Sequence, residues 1–283
     1  MGAITLVNAI ASGKGATVSV ELPTTARVEI NEERGGWNVF MNGRKQRSSL
    51  AMEAIQGSIK ICGKDPARYS GSVETTTSAA AGVGLKTSSS SSVAVILAVL
   101  SALGVSSYEP EEVARCSASS ALAAGVSVTG AMDDAASCLL GGMNFADNSG
   151  MKIVSSAPVG RRLPVIITVP PRKSRRASVE VNYVRRFSKI SQSIFSLGRQ
   201  GKIWKAMTLN GLLYCSIYGY PPIDALQAME GGALGAGLSG TGPAVAAVFE
   251  DRKDAKRLAR VWEEGGSKVI RTETSDGGAT FGN

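Results

Sequence analysis

The sequence predicts an α+β protein whose core is large enough for one large domain or two smaller ones. Strand-like and helix-like segments are mixed along 283 residues, without the strict alternation that marks parallel βαβ sheets. Apolar residues make up 43% of the chain, which is enough for a sizeable core. The longest apolar run, 93–103, is much shorter than the roughly 20 residues a spanning helix needs, so we expect no membrane partner.

The first half of the chain carries strands and helices in mixed order. Apolar alternation predicts its strands at 4–30 (broken at the glycines of 13–15), 39–41, 71–77 and 152–156. Apolar runs of helical length predict its helices at 52–62, 93–103, 110–124 and 134–140. The third of these begins with Glu111 and Glu112, which the positive end of a helix dipole favours. Gly141 and Gly142 end the fourth.

The second half repeats this mixture. Its predicted strands are 163–169 and 244–249. Its predicted helices are 179–199, 203–214, 223–230 and 252–265. Residues 272–283 are expected to fold back as a short hairpin or strand, because Asp276-Gly277-Gly278 favours a turn.

The segment 79–92 combines glycines with hydroxyl residues and leads directly into the apolar run of 93–103. Gly82 and Gly84 permit a backbone too crowded for other residues. The serines of 88–92 are expected to cap the following helix. A turn that enters a helix N-terminus presents free N–H groups and the positive end of the helix dipole. This segment therefore predicts an anion site, with phosphate as its ligand; a flexible linker is the alternative interpretation.

Two further motifs carry chemistry. Residues 235–243 form a second glycine-rich loop that precedes the buried strand predicted at 244–249. Asp133 and Asp134 are adjacent carboxylates among small and apolar residues, whereas surface acids usually have polar neighbours. An exposed turn or helix cap is the ordinary alternative for such a pair.

The order of these motifs resembles the GHMP kinases, the superfamily named for galactokinase, homoserine kinase, mevalonate kinase and phosphomevalonate kinase. Within it the chain is most similar to the archaeal-type shikimate kinases. The similarity covers nearly the whole chain, and its residues include Asn8-Ala9-Ile10-Ala11-Ser12-Gly13-Lys14-Gly15, Gly84-Leu85-Lys86, the 124–130 segment, 204–211 and Leu238-Ser239-Gly240-Thr241-Gly242-Pro243. The resemblance implies an ATP-binding α/β domain at 1–157, a second α/β domain at 158–283 and an active site in the cleft between them.

The resemblance also implies the reaction, a transfer of phosphate from ATP to shikimate with Mg²⁺ as cofactor. Asp134, eight residues before Gly142, matches the spacing of the superfamily's catalytic aspartate, and Asp133 would assist it through magnesium or by tuning charge. Ser88 matches a serine that binds Mg²⁺, and Lys86 would add positive charge near the phosphates. The implied ATP-binding residues are Ala80, Ala81, Gly82, Val83, Gly84, Leu85, Lys86, Thr87, Ser88, Ser89 and Ser90.

The acceptor site is less well defined by the sequence. Shikimate offers a carboxylate and ring hydroxyls, so its site needs one or two fixed cations and polar side chains. Lys14, Arg172 and Asn210 are the candidates. Ser239 and Gly240, in the second glycine loop, would support the cleft near the phosphates or the acceptor.

The chain departs from the superfamily's pattern in two places. Ala80 stands where the loop usually begins with proline, which costs local rigidity. Ala123 stands where the superfamily usually has a glutamate that binds magnesium, about eleven residues before the aspartate. Either Asp133 takes over the metal, or Mg²⁺ is held mostly by phosphates, Ser88 and water; a weakened enzyme is a third interpretation.

Composition excludes several other chemistries. The chain has no histidine, which rules out Ser–His–Asp and Cys–His schemes and metals held by histidine. The four cysteines are scattered without a Cys-x-x-Cys pair, as in the reducing compartment of a cytoplasmic protein, and no signal segment is apparent at the start. The phosphate loop of P-loop kinases, Gly-x-x-x-x-Gly-Lys-Ser/Thr, does not occur.

The net charge of +8 is concentrated in one segment. Residues 161–205 hold twelve Lys or Arg and one acid, so this segment carries the whole basic excess. A solvated face, recruitment of anionic substrates and nucleic-acid binding are the interpretations. Aromatic residues, 5% of the chain, are not interleaved with these cations, which disfavours nucleic acid. Homoserine kinase and a basic binding protein on a kinase-like scaffold are the alternative functions; the oligomeric state stays open.

Overall fold

The fold contains three four-stranded sheets and nine α-helices in a computed structural model that describes residues 1–79, 82–171 and 179–281. The strands are β1 (Gly2–Val7), β2 (Lys14–Val20), β3 (Thr24–Asn31), β4 (Trp37–Met41), β5 (Arg44–Lys45), β6 (Ser70–Thr77), β7 (Met143–Asp147), β8 (Lys152–Ala157), β9 (Pro164–Val169), β10 (Gly235–Leu238), β11 (Val245–Val248) and β12 (Lys268–Glu273). The helices are α1 (Ser49–Ile61), α2 (Thr87–Ala102), α3 (Pro110–Ala123), α4 (Met132–Leu140), α5 (Val181–Arg185), α6 (Ser188–Arg199), α7 (Ile203–Tyr218), α8 (Ile223–Glu230) and α9 (Arg252–Glu264).

The sheets are mainly antiparallel, as the α+β class requires. Their strand orders are β1-β2-β7-β8, β3-β6-β4-β5 and β10-β11-β9-β12. Among these pairings, β4 with β6 is parallel, and it joins strands that α1 connects. The mixed sequence pattern therefore predicts the fold class correctly. The division at residues 157 and 158 stays a prediction.

Three apolar cores hold the layers together. One lies between the β3-β6-β4-β5 sheet and helices α1 to α4, with Ile55, Ile96 and Leu139 among its buried residues. A second joins the other two sheets, because side chains of β1 and β2 meet those of β9 and β11. The third packs α8 and α9 on the β10-β11-β9-β12 sheet. In α9 the residues Ala255, Leu258, Ala259 and Trp262 are buried, the spacing of an amphipathic helix.

The largest correction concerns α2. The sequence predicts the serines of 88–92 as caps before a helix at 93, but α2 begins at Thr87, and its N-cap, Lys86, makes no side-chain capping bond. Ser90 and Ser92 instead donate to the carbonyls of Thr87 and Ser89 within the helix, both at 3.1 Å. Serine is tolerated inside a helix when its hydroxyl bonds back to a preceding carbonyl in this way.

Other boundaries also differ from the sequence prediction. Residues 235–238 form a strand rather than a loop, because the glycines let β10 lie against α7: a Cβ on Gly211 would overlap Gly237. The strand β7 was not predicted. The helix predicted over 179–199 is divided into α5 and α6, and the last strand lies at Lys268–Glu273, overlapping only the start of the predicted 272–283.

Candidate active site

A cleft of about 270 Å³ opens where the starts of α2 and α4 meet the end of β1 and the turn after β10. Its walls combine glycine backbone, hydroxyl side chains, one lysine and two carboxylates. They are formed by Asn8, Ala9, Ile10, Gly82, Gly84, Leu85, Lys86, Thr87, Ser88, Ser89, Ala121, Val126, Ser127, Val128, Thr129, Ala131, Asp133, Asp134, Gly240 and Thr241. The cleft therefore brings together the two glycine-rich segments and the paired aspartates.

The glycine loop is shaped by close backbone contact. Gly82 and Gly84 have φ angles of 75° and 98°, which favour glycine. A Cβ on Gly84 would overlap the carbonyl oxygen of Ser239, so no other residue fits there without a shift of backbone. Ala80 and Ala81, two of the predicted ATP-binding residues, lie outside the described residues.

The start of α2 faces the cleft without a side-chain cap. The N–H of Ser90 donates to the carbonyl of Lys86, which is the first hydrogen bond of this helix. The N–H groups of Ser88 and Ser89 come earlier in the helix, where no intrahelical carbonyl can accept from them. Ser88 is exposed at the cleft, while Ser89 and Ser90 are buried. Of the predicted ATP-binding residues, Val83 and Ser90 do not line the cleft. A helix N-terminus without a side-chain cap has the geometry that favours an anion, and the binding of phosphate there stays a prediction.

Lys86 forms a buried ion pair with Asp134. Its Nζ lies 2.9 Å from Asp134 Oδ1, and the two side chains are 11% and 12% exposed. No described hydrogen-bond partner other than this ammonium reaches that buried oxygen. Burial acts to lower the pKa of Lys86, but the combined attraction of Asp134 and Asp133 outweighs it, so the pKa lies above its ordinary value. The lysine therefore stays charged.

The backbone of Lys86 is held in an uncommon conformation. Its φ of 60° and ψ of 27° lie in the left-handed region, which favours glycine. A lysine there costs on the order of 1–2 kcal/mol of conformational strain. The strained backbone places the side chain between the start of α2 and the start of α4.

Asp133 is held by a separate set of contacts. Its Oδ1 accepts from Nδ2 of Asn148 at 2.9 Å, and its backbone N–H donates to Oδ1 of Asn148 at 3.2 Å. Thr17 donates its hydroxyl to the carbonyl of Asp133 at 2.7 Å. Burial, then the charge of Asp134, raise the pKa of Asp133 to about 7, despite the opposing effects of Lys86 and Asn148.

Replacing Asp133 with asparagine should stabilise the protein at high pH. Because the folded pKa of about 7 exceeds the unfolded value near 4, the native state holds more protons in this window. The wild-type free energy of unfolding should fall as pH rises from about 4 to about 7 and then level off. Asp133→Asn should remove this decline and gain on the order of 1–3 kcal/mol at pH 8. Urea unfolding at pH 5 and pH 8 measures the difference.

The exposed carboxylate of Asp65 provides the control for this measurement. Asp65→Asn should leave the difference between the two pH values unchanged. An Asp133→Asn variant that is no more stable than wild type at pH 8 would contradict the effect assigned to burial of this carboxylate.

The predicted acceptor residues are not all brought together. Lys14 is exposed at the start of β2 and does not line the cleft. Asn210 is buried on α7, where its Oδ1 accepts from the N–H of Asn8 at 2.9 Å. Ser239 is buried behind the cleft, whereas Gly240 lines it. Arg172 lies outside the described residues.

Sequence reasoning missed several residues of the cleft. Asn8 donates from Nδ2 to the carbonyl of Gly240 at 2.9 Å and so joins the end of β1 to the second glycine turn. Asn148, which holds Asp133, was also missed. Asn8 and the 124–130 segment are among the residues that carry the family resemblance, which was the available signal, whereas Asn148 offers only an asparagine just after a buried strand. Ser127 and Thr129, in the α3–α4 loop, also line the cleft, and their hydroxyls accept from the backbone N–H groups of Thr129 and Ala131.

The position of the missing superfamily glutamate lies away from the cleft. Ala123 is exposed at the last residue of α3, and Ala121 is the α3 residue that lines the cleft. In the described part of the chain, no three Asp, Glu, Cys or His residues group as a metal site. Carboxylate and hydroxyl oxygens are nevertheless present in the cleft. With the uncapped helix and the lysine, they can bind a phosphate and accept a proton from a hydroxyl.

The basic segment contributes no described cation to this cleft. Arg161 and Arg162 pair with Glu250 and Glu21. Arg185 and Lys189 are exposed on α5 and α6. Across the described ranges, no helix combines the length and apolar character needed to cross a membrane.

Comparisons with known proteins agree with this architecture. Family models of the GHMP kinases match at residues 49–142 for the N-terminal domain and 195–268 for the C-terminal part. A shikimate kinase of Methanococcoides burtonii is 34% identical over 99% of this chain and 96% of its own length. One from Methanothermobacter thermautotrophicus is 33% identical over 98% and 94%. The mevalonate kinase structure of Methanococcus jannaschii shares the fold, with a TM-score of 0.75 over 96% of each chain at 14% identity. The chain therefore belongs to the GHMP kinases and, within them, to the family of the archaeal shikimate kinases.

Proposed function

We propose that the chain transfers the γ-phosphoryl group of ATP to shikimate and forms shikimate 3-phosphate, a step of aromatic amino acid biosynthesis. The observation that carries the transfer is the Lys86–Asp134 ion pair, which lies at the uncapped start of α2. This ion pair places a cation, Lys86, next to the helix start that suits an anion. It also places a carboxylate, Asp134, next to that cation and to the helix start. The full-length similarity to relatives named shikimate kinase supports shikimate as the acceptor.

The nucleotide has room on both sides of the start of α2. A second cavity of about 290 Å³ shares Thr87, Ser88 and Val126 with the cleft. Apolar side chains such as Val39 and Met41 line it, and these suit a nucleobase. We assign the base to this cavity and the phosphates to the helix start, with the acceptor in the cleft beyond.

Magnesium fits the donors of the cleft. Ser88 and Asp133 offer hydroxyl and carboxylate oxygens, the ligands Mg²⁺ prefers, and the ion commonly keeps several waters and phosphate oxygens. These two residues would hold it, with the rest of its shell from phosphate and water. When bound, the ion neutralises charge on the phosphates.

Phosphoryl transfer then requires little covalent chemistry from the protein. The acceptor oxygen attacks the γ-phosphorus, the bond to the β,γ-bridging oxygen breaks, and ADP leaves. Asp134 takes the proton of the attacking hydroxyl. Lys86 and the N–H groups at the start of α2 stabilise the negative charge of the phosphates, which is the main contribution a kinase makes.

The carboxylate of the acceptor needs a cation to bind it. In the described walls of the cleft, Lys86 is the sole cation, and Asp134 already neutralises it. Asn8, Ser127 and Thr129 supply polar groups. Lys14, Arg172 and Asn210 stay predictions for this role.

The first test is ADP production from ATP and Mg²⁺ in a coupled assay. Shikimate, homoserine and mevalonate are offered separately at equal concentration. Turnover with shikimate alone is the expected result. Turnover with another acceptor would retain the mechanism and reject the acceptor. No turnover with any of the three would reject the proposed reaction and favour a binding protein on a kinase scaffold.

Replacing Ser239 with alanine should weaken ATP use more than it unfolds the protein. Its hydroxyl donates to the carbonyl of Gly84 at 2.7 Å and accepts from the N–H of Thr5 at 3.3 Å. Losing both bonds frees the glycine loop, so the KM for ATP should rise about 3- to 10-fold, as loss of roughly one hydrogen bond predicts. The KM for shikimate should change less than the KM for ATP.

Ser216 provides a matched control, because it is exposed and its hydroxyl donates to the carbonyl of Leu212 within α7. Ser216→Ala should keep wild-type kinetics. An unchanged KM for ATP in Ser239→Ala would show that this hydroxyl does not hold the loop.

A further inference from the structure

We infer that the 274–281 segment, which follows β12, is a positioning element that anchors the helix bearing Asp133 and Asp134. The inference rests on the proposed function for its kinetic consequence and on hydrogen bonding for the anchoring itself. The segment leaves the β10-β11-β9-β12 sheet and crosses to the end of α4, so it connects two parts of the molecule that carry different walls of the cleft.

The first contacts form a closed set of backbone bonds. The N–H of Ser275 donates to the carbonyl of Ser19 at 3.0 Å, and the N–H of Ser19 donates to the carbonyl of Gly142 at 2.9 Å. The N–H of Gly142 completes the set by donating to the carbonyl of Ser275 at 2.8 Å. The N–H of Ala279 donates to the carbonyl of Leu139 at 2.7 Å. Carbonyls in the last turn of a helix have no intrahelical partner, so the segment satisfies one that α4 cannot.

Asp276 adds a side-chain clamp. Its carboxylate accepts from the N–H groups of Val159 at 2.6 Å and Gly160 at 2.9 Å, in the connection between β8 and β9. Its backbone lies against Gly141, the C-cap of α4, where a Cβ would stand 2.6 Å from the carbonyl oxygen of Asp276. The segment therefore fits between the end of α4 and this connection.

Ring packing fixes the far end of the segment. Phe281 meets Tyr108, in the α2–α3 loop, edge to face with 5.3 Å between ring centres. Helix α4 has only nine residues, and Asp134 lies about 8 Å from Leu139 along its axis. A shift at the anchored end of so short a helix also displaces the aspartates near its other end. A small misplacement of a reacting group lowers the reaction rate substantially.

Two adjacent glycines allow a matched test. A Cβ on Gly278 would lie 2.5 Å from the carbonyl oxygen of Leu139, whereas a Cβ on Gly277 would meet only the hydroxyl of Ser275, at 3.6 Å. Neither glycine has a positive φ. Gly278→Ala should thus displace the segment from α4, and Gly277→Ala should not.

The experiment measures amide hydrogen exchange and steady-state kinetics on the full chain. In Gly278→Ala we expect faster exchange in α4 with unchanged exchange in α9. We also expect a kcat about 10-fold or more below wild type, with the KM for ATP within about threefold. Gly277→Ala should match wild type in both readouts. Wild-type exchange in α4 of Gly278→Ala would overturn the anchoring, and wild-type kcat despite faster exchange would overturn the positioning role.

A second pair covers the case in which Gly278→Ala does not fold. Asp276→Asn removes the charged double acceptor, while Asp251→Asn makes the same change at the N-cap of α9, where the carboxylate accepts from the N–H of Lys253. Faster exchange in α4 and lower kcat for the first variant only would support the inference; equal values for the two would overturn it. Absence of shikimate turnover in the wild type would reject the proposed function instead, and the exchange comparison would still decide the anchoring.

Discussion

Asp134→Asn should abolish phosphorylation of shikimate while leaving nucleotide binding in place. Asparagine keeps the shape of the side chain but cannot take the proton of the attacking hydroxyl. It also removes the charge that faces Lys86 at 2.9 Å. Loss of a positioned base together with its charge should lower kcat by about 10³-fold or more. The freed ammonium of Lys86 remains beside the helix start, so the affinity for ADP should stay the same or increase.

The measurement pairs the coupled assay with calorimetric titration of ADP. Asp147→Asn is the matched control, since Asp147 lies at the end of β7 and accepts from the N–H of Gly150 outside the cleft. The control should keep wild-type turnover. A kcat for Asp134→Asn within tenfold of wild type would remove this residue from the role of base. Lost ADP binding with intact folding would show instead that Asp134 shapes the nucleotide site.

Features built from consecutive residues could be predicted from the sequence. Gly82 and Gly84 followed by an apolar run predicted a turn that enters a helix N-terminus, because the glycines, N–H groups and helix are neighbours along the chain, although the serine caps predicted there are wrong. Asp133 and Asp134 stand out in the sequence because their neighbours are small and apolar, and the structure buries both, so the alternative of an exposed turn is wrong. The superfamily could be predicted for the same reason, because its motifs are short and occur in a fixed order. The family models confirm it.

Features that depend on contacts across the fold could not be predicted. The pairing of Lys86 with Asp134 depends on a positive φ that lysine rarely adopts. The residues next to Lys86 in the sequence therefore do not predict this pairing. Asn148 reaches Asp133 only because β7 ends beside α4. Ser90 was assigned to a cap because local propensity cannot show a hydroxyl that bonds back into its own helix.

Lys86→Met should lower kcat strongly and weaken nucleotide binding. Methionine fills similar space but removes the ammonium, which leaves the Asp134 carboxylate buried without its partner. Loss of one fixed charge that stabilises the transferred group should cost about 10²–10³ in kcat. The KM for ATP should rise, since the N–H groups of α2 would hold the phosphates alone. The same coupled assay and ADP titration measure both effects.

Lys86→Gly separates charge from backbone strain. Glycine adopts the φ of 60° without penalty, so relief of strain should return about 1 kcal/mol to the free energy of unfolding. The uncompensated Asp134 opposes this gain, and the comparison with Lys86→Ala, which also lacks the ammonium and the buried stem but keeps the strain, isolates it. If the ammonium acts on the phosphates, both variants lose activity equally while the glycine variant is the more stable. If Lys86→Gly retains wild-type turnover, the ammonium serves only to neutralise Asp134, and the anion site consists of the N–H groups at the start of α2.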